Sequence, residues 1–156
     1  MPLRPAPGHI WFDERKKIAG LNSGLETFAE ALRSDTIAAK RVEGVIVSFG
    51  PVQTVQHFVT ADAFHGPTLV ASGDTPMGAA IQNAVDLVAE RKATYKANGI
   101  GYERPGVFAI TDGAPTDAVS AATAAIREGE AAQSLMFFAV GVTETDMNRL
   151  TQISVR

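Results

Sequence analysis

The chain has 156 residues, of which 46% are apolar and 20% charged, and its formal net charge is −3. That length suits one compact domain with a single core, and that composition is globular rather than disordered. The absence of cysteine excludes disulfides, thiolate metal sites and thiol nucleophiles together.

No basic cluster stands out beyond Arg15-Lys16-Lys17, so the sequence offers no nucleic-acid footprint. No apolar run approaches the roughly 20 residues that a membrane-spanning helix requires. The opening MPLRPAPGH has no apolar signal core, which leaves the cytoplasm as the default compartment.

In chain order, Pro2, Pro5 and Pro7 bar regular helix or central strand from the first residues. From Lys17, Ile18, Leu21, Leu25, Phe28 and Leu32 recur at helical steps and predict an amphipathic helix ending near Arg33. Residues 42–49 (VEGVIVSF) suit a buried strand, and 53–59 (QTVQHFV) alternate as a strand with one wet face. A polar, Gly/Pro-marked loop follows over 60–74. A second helix is expected from about Pro76 to Lys96, with Ile81, Ala84, Val85 and Val88 on one face.

Residues 107–110 form a short buried strand running into Thr111-Asp112-Gly113. Residues 117–131 are Ala-rich and helical, and 135–142 (LMFFAVGV) read as another buried strand, with Phe137 and Phe138 both in the core. Thr143 can cap a last helix that runs through Ile153. Strands that alternate with helices and are apolar throughout imply an α/β fold: a doubly wound, mostly parallel sheet with helices on both faces. There is no interior linker, so residues 1–156 are assigned to one domain in which 1–15 are an atypical N-terminal segment.

In open α/β sheets, ligand groups gather at the carboxyl ends of strands. Two segments fall at such places, SGDTPMGAA (72–80) and ITDGAPTD (110–117). Together with KKIAGLNSGLETFAEAL (16–32) and FFAVGV (137–142), their order and spacing resemble the von Willebrand factor A (VWA) family. The likeness is strongest to the small bacterial VWA proteins linked to tellurite resistance, and it covers roughly residues 16–156.

The resemblance implies a protein-interaction module and no enzyme. Its partner protein would be met at the top face of the sheet, with no membrane and no nucleic acid involved. It also implies a divalent cation, usually Mg²⁺, at the metal-ion-dependent adhesion site. Thr75 matches the family's threonine ligand and Asp112 its late aspartate. Each residue also has a plainer explanation. Thr75 before Pro76 is an ordinary helix N-cap, Asp112-Gly113 is a turn signal, and Asp117 reads as the cap of the helix that follows it. His9, His57 and His65 are not at metal-ligand spacing.

The family's Asp-x-Ser-x-Ser motif, which follows its first strand, is missing. Where it should stand, this chain has RPAPGHIWFDER (4–15), so the implied site lacks three of five oxygen ligands and the first strand is disrupted. The family's closing strand and helix are not found after the last expected helix. Mg²⁺ binding is therefore expected to be weak or absent.

Two rival classes fit the residues less well. A Mg²⁺-dependent phosphohydrolase of the haloacid-dehalogenase type could use a strand-end aspartate with Gly73-Asp74, but Asp112-Gly113-Ala114 lacks the second aspartate of that family's pair. A dinucleotide binder would need G-x-G-x-x-G after a strand, and none is present.

Residues 8–15 can be encoded by GGA CAC ATC TGG TTC GAT GAG CGN. Read one base later, that string gives Asp-Thr-Ser-Gly-Ser-Met-Ser, and RPAPG can likewise yield Val-Leu-Leu-Leu before it. A compensated frameshift is therefore consistent with the lost motif. The coding sequence checks this: its codons are expected to spell the serine motif in the shifted frame, and codons that cannot do so end the idea.

Overall fold

The structure, a computed structural model, describes residues 14–70, 73–111 and 114–141, together with Asn148, Thr151 and Ile153. Within these it is a mixed α/β arrangement. In chain order the elements are α1 (Glu14–Ser34), α2 (Ala38–Arg41), β1 (Glu43–Ser48), β2 (Gln53–Thr60), a 3-10 turn (Ala61–Ala63), α3 (Met77–Ala97), β3 (Gly106–Thr111), α4 (Ser120–Ala131) and β4 (Met136–Gly141). Asn148, Thr151 and Ile153 are helical, while the expected cap Thr143 lies outside the described residues.

The mixed α/β class expected is present, and the doubly wound sheet is seen only in part. Among the described residues the strands form two separate pairs, an antiparallel β1–β2 hairpin and a parallel β3–β4 pair. In the parallel pair, Val107 lies opposite Phe137 and Phe108 opposite Phe138. In the hairpin, Glu43 lies opposite Thr60, and the register shifts twice between Gly44 and Val47. Every residue of β1 is half-buried, where its β-branched run had suggested a fully covered strand. β2 does not alternate as expected: Gln53, His57 and Thr60 are exposed and the residues between them are half-buried.

The core lies between α3, α4 and one face of β3–β4. It gathers Met77, Ile81 and Val88 from α3, Ala122 and Ile126 from α4, and Val107, Ala109, Leu135, Phe137 and Ile153. Burying each of the larger side chains contributes about 1.5–3 kcal/mol, so this cluster dominates stability. Phe137 belongs to it at 1% exposure, but Phe138 does not. Alternation along β4 turns Phe138 to the opposite face, where its ring stacks on Phe108 at 4.9 Å.

α1 packs elsewhere. Ala29 is fully buried, but Phe28 remains 53% exposed and meets Phe64 edge-on. Asn22 exchanges two hydrogen bonds with the Leu69 backbone, and Arg33 donates to the Phe64 carbonyl at 2.6 Å. The apolar stripe of α1 thus rests on the segment after β2, where the expectation was a helix flanking a continuous sheet. α2 was not anticipated. The Asp35 carboxylate accepts the Ile37 and Ala38 amides and starts that short helix.

A charged clamp joins the hairpin to α3. Arg91 donates from Nε and Nη2 to both oxygens of Glu43, at 2.8 and 2.7 Å, and the Tyr95 hydroxyl also donates to Glu43. The Arg91 guanidinium lies over the Phe58 and Tyr95 rings. The Arg91 hydrogen bonds hold the Glu43 carboxyl below the usual glutamate range; partial burial opposes this and the Tyr95 bond assists it. A depressed folded-state value gives stability that is present above the ordinary glutamate range and is lost as pH falls through it. Thermal unfolding across acidic pH checks this. Glu43→Gln is expected to lower the melting temperature at neutral pH and to flatten the acid-side slope. With both partners partly exposed, the neutral-pH loss should be about 1 kcal/mol.

Candidate functional site

The start of α3 determines the geometry here. A helix leaves its first amides without intrahelical acceptors, and they must be satisfied from outside. The Met77 amide donates to the Thr75 carbonyl at 2.7 Å, and Ala80 donates to the Pro76 carbonyl at 3.1 Å. The Gly78 and Ala79 amides donate to Asp117 Oδ1 and Oδ2, at 2.9 and 2.8 Å. A carboxylate from the segment after β3 therefore caps α3, and its negative charge faces the positive end of the helix dipole.

This corrects the expectation for Asp117. It is expected to cap the helix that follows it, but the cap residue of α4 is Val119, which makes no side-chain cap bond. Thr75 was a candidate cap of its own helix, yet Pro76 is the cap residue of α3 and makes no side-chain cap bond. Sequence proximity suggested local caps, and the fold supplies a distant one. The available signal was weak: Asp117 follows Pro115-Thr116 in a loop that has to return past the start of α3.

A second pair of bonds joins the two segments. The Thr75 amide donates to Thr116 Oγ1 at 3.0 Å, and the Thr116 amide donates back to the Thr75 carbonyl at 2.9 Å. Gly78 makes the approach feasible. A Cβ built there would lie 2.2 Å from the Ala118 carbonyl oxygen, far inside contact distance. Thr111, at the end of β3, is 6% exposed beneath this junction's strand end.

Of the two predicted site residues, the structure places Thr75 at the meeting of the helix-leading turn with the loop beyond β3. Asp112 lies outside the described residues, though residues 116–117 of its loop do reach Thr75. The described part of the junction is rich in hydroxyl and amide groups. Its seated carboxylate, Asp117, has both oxygens engaged by helix amides, so it makes a poor ligand for a hard cation that needs several oxygen donors. Among the described residues, no group of three or more His, Asp or Glu gathers in a way that could hold a metal ion. His57 is exposed on β2, and His65 lies 3.4 Å from Arg33.

Two variants test the junction. Asp117→Ala is expected to cost about 1–2 kcal/mol and to speed amide exchange at Gly78 and Ala79, read by thermal unfolding and exchange NMR. Gly78→Ala should cost at least as much, because the loop backbone has to move, and it should loosen the same amides. Unchanged exchange at Gly78 and Ala79 in both variants would contradict the cap. Comparison of the chain with protein-family models, with curated proteins and with solved structures finds no match in any of the three.

Proposed function

We propose that the chain is a non-catalytic protein-interaction module of the VWA type, built on a doubly wound α/β plan, with a divalent-cation adhesion site that is incomplete. One observation carries this reading. The helix-leading turn at Thr75 and the loop after β3 meet above one end of the parallel pair, joined by the reciprocal Thr75–Thr116 bonds and by the Asp117 cap. That is where open α/β sheets collect ligand groups.

Thr75 and Asp112 are the residues that would hold Mg²⁺ here, and a bound ion would offer an open position to a partner's carboxylate. The remaining ligands of the family's set have no counterpart in RPAPGHIWFDER, and the Asp117 oxygens are already used by the helix. The partner is therefore met mainly by polar groups of the chain itself. Among the described residues the two strand pairs are not joined, as this reading expects. The family's first strand is central, and the sequence standing in its place carries Pro5 and Pro7.

Titration calorimetry with Mg²⁺ tests the proposal. The expected result is no binding in the micromolar range, for the natural chain and for Asp112→Ala alike. Micromolar affinity that disappears in Asp112→Ala would show a working cation site and overturn the incomplete one. Phosphatase turnover abolished by Asp112→Asn would replace the interaction module with an enzyme.

A further inference from the structure

The end of α3 carries Ala97-Asn98-Gly99-Ile100-Gly101, and of the asparagines in the sequence Asn98 alone is followed by glycine. That order has a chemical consequence. The backbone nitrogen after an asparagine can attack the asparagine's side-chain carbonyl carbon and close a five-membered imide. A side chain on the attacking residue crowds that nitrogen, and glycine has none. The other asparagines precede Ser23, Ala84 and Arg149. Asn22 is also tied to the Leu69 backbone through both side-chain atoms, and Asn83 lies well inside α3.

The fold both exposes Asn98 and restrains it. Asn98, the C-cap residue of α3, is exposed together with Gly99, Ile100 and Gly101. Among the described residues, no atom lies within 4 Å of a Cβ built on Gly99 or Gly101, so nothing packs over the pair. The Gly99 amide donates to the Lys96 carbonyl at 3.1 Å and the Ile100 amide to the Tyr95 carbonyl at 2.9 Å. Gly99 has φ +67°, as a helix end of this type requires. Asn98 has ψ 6°, which turns the Gly99 nitrogen towards the Asn98 amide and away from its side chain. Ring closure therefore needs rotation about the Asn98 Cα–C bond, and that rotation breaks the Gly99 and Ile100 bonds. Only the last turn has to open, and helix ends open locally within the native state.

We propose that Asn98 is a site of spontaneous deamidation, gated by fraying of the last turn of α3. In the frayed state the Gly99 nitrogen loses its proton to solvent and bonds to Asn98 Cγ. The Cγ–Nδ2 bond breaks, and Nδ2 takes up a proton and leaves as ammonia. Water then opens the imide at either carbonyl. One opening leaves aspartate at 98, and the other leaves isoaspartate, whose backbone runs through the side-chain carbons. Either product loses the 2.8 Å bond from Asn98 Nδ2 to the Thr94 carbonyl. Either also sets a carboxylate against the negative end of the helix dipole, so the last turn is held less firmly after conversion. Tyr95, whose carbonyl anchors Ile100, also donates to Glu43, so the altered turn adjoins the hairpin clamp. The proposal does not depend on the cation reading.

Ageing the purified full chain in warm, mildly alkaline buffer and mapping its peptides by mass spectrometry tests this. The mass gain of an amide turned to acid is expected at Asn98 before Asn22, Asn83 or Asn148, with aspartate and isoaspartate both present. A blocked peptide, Lys-Ala-Asn-Gly-Ile-Gly, should convert about tenfold faster, because nothing holds its glycine amide. Amide exchange at Gly99 and Ile100 should be faster in the aged chain than in the fresh one. Asn98→Gln, whose ring would need a sixth member, should lose the conversion; if that variant does not fold, the map of the unaltered chain still decides. No conversion, earlier conversion at another asparagine, or an equal rate in folded chain and peptide overturns the proposal. So does a mass gain at position 98 that persists in Asn98→Gln.

Discussion

The amino end of α3 has to be satisfied, and the way this happens organises everything around it. Three successive amides, Met77 to Ala79, find acceptors outside the regular helix, and the last two take both oxygens of Asp117. Because Asp117 belongs to the segment that leaves β3, the cap ties the helix to the parallel pair at one end. The close approach this demands leaves no room for a side chain at position 78. One electrostatic need thus sets a backbone contact, a glycine and the position of Thr75 together.

The helix also bridges the two strand pairs, by unlike forces. Towards β3–β4 it offers Met77, Ile81 and Val88 to a cluster that includes Ile126 at 0% exposure and Phe137. Towards the hairpin, its most specific link is the Glu43–Arg91–Tyr95 clamp. Several buried apolar side chains at about 1.5–3 kcal/mol each outweigh one partly exposed ion pair worth about 1 kcal/mol or less. The parallel pair with α3 and α4 holds most of that cluster, and the hairpin joins it through the clamp and through Phe58, which packs against the same core.

The functional reading follows from what the cap uses up. A strand-end loop that donates its carboxylate to helix amides has less to give a cation, and the junction becomes a polar surface of hydroxyls and backbone groups. The other unusual surface is on the opposite chemical footing. The outer side of β3–β4 is apolar and partly exposed, at Phe108 and Val140 above all.

Much of the local structure was legible in the residues. The helical spacing from Ile18 to Leu32, the run from Ile81 to Val88 and the apolar strands at 107–110 and 135–142 each appear as elements, with ends that differ by a few residues. Local periodicity suffices there, because it records which side of one element meets apolar surroundings. Pairing was not legible. The strand runs are apolar on both sides, which signals two covered faces, yet Phe108 is 62% exposed and only one described pair is parallel. The partner of Asp117 was hidden for a similar reason. A cap is an acceptor near unsatisfied amides, and sequence order does not say which helix end a loop will reach. The sequence by itself determined the helices, the strands and the two loops worth watching. Only the tertiary structure decided which loop meets which helix and which strands pair, because those contacts join residues far apart in the chain and depend on how whole elements pack.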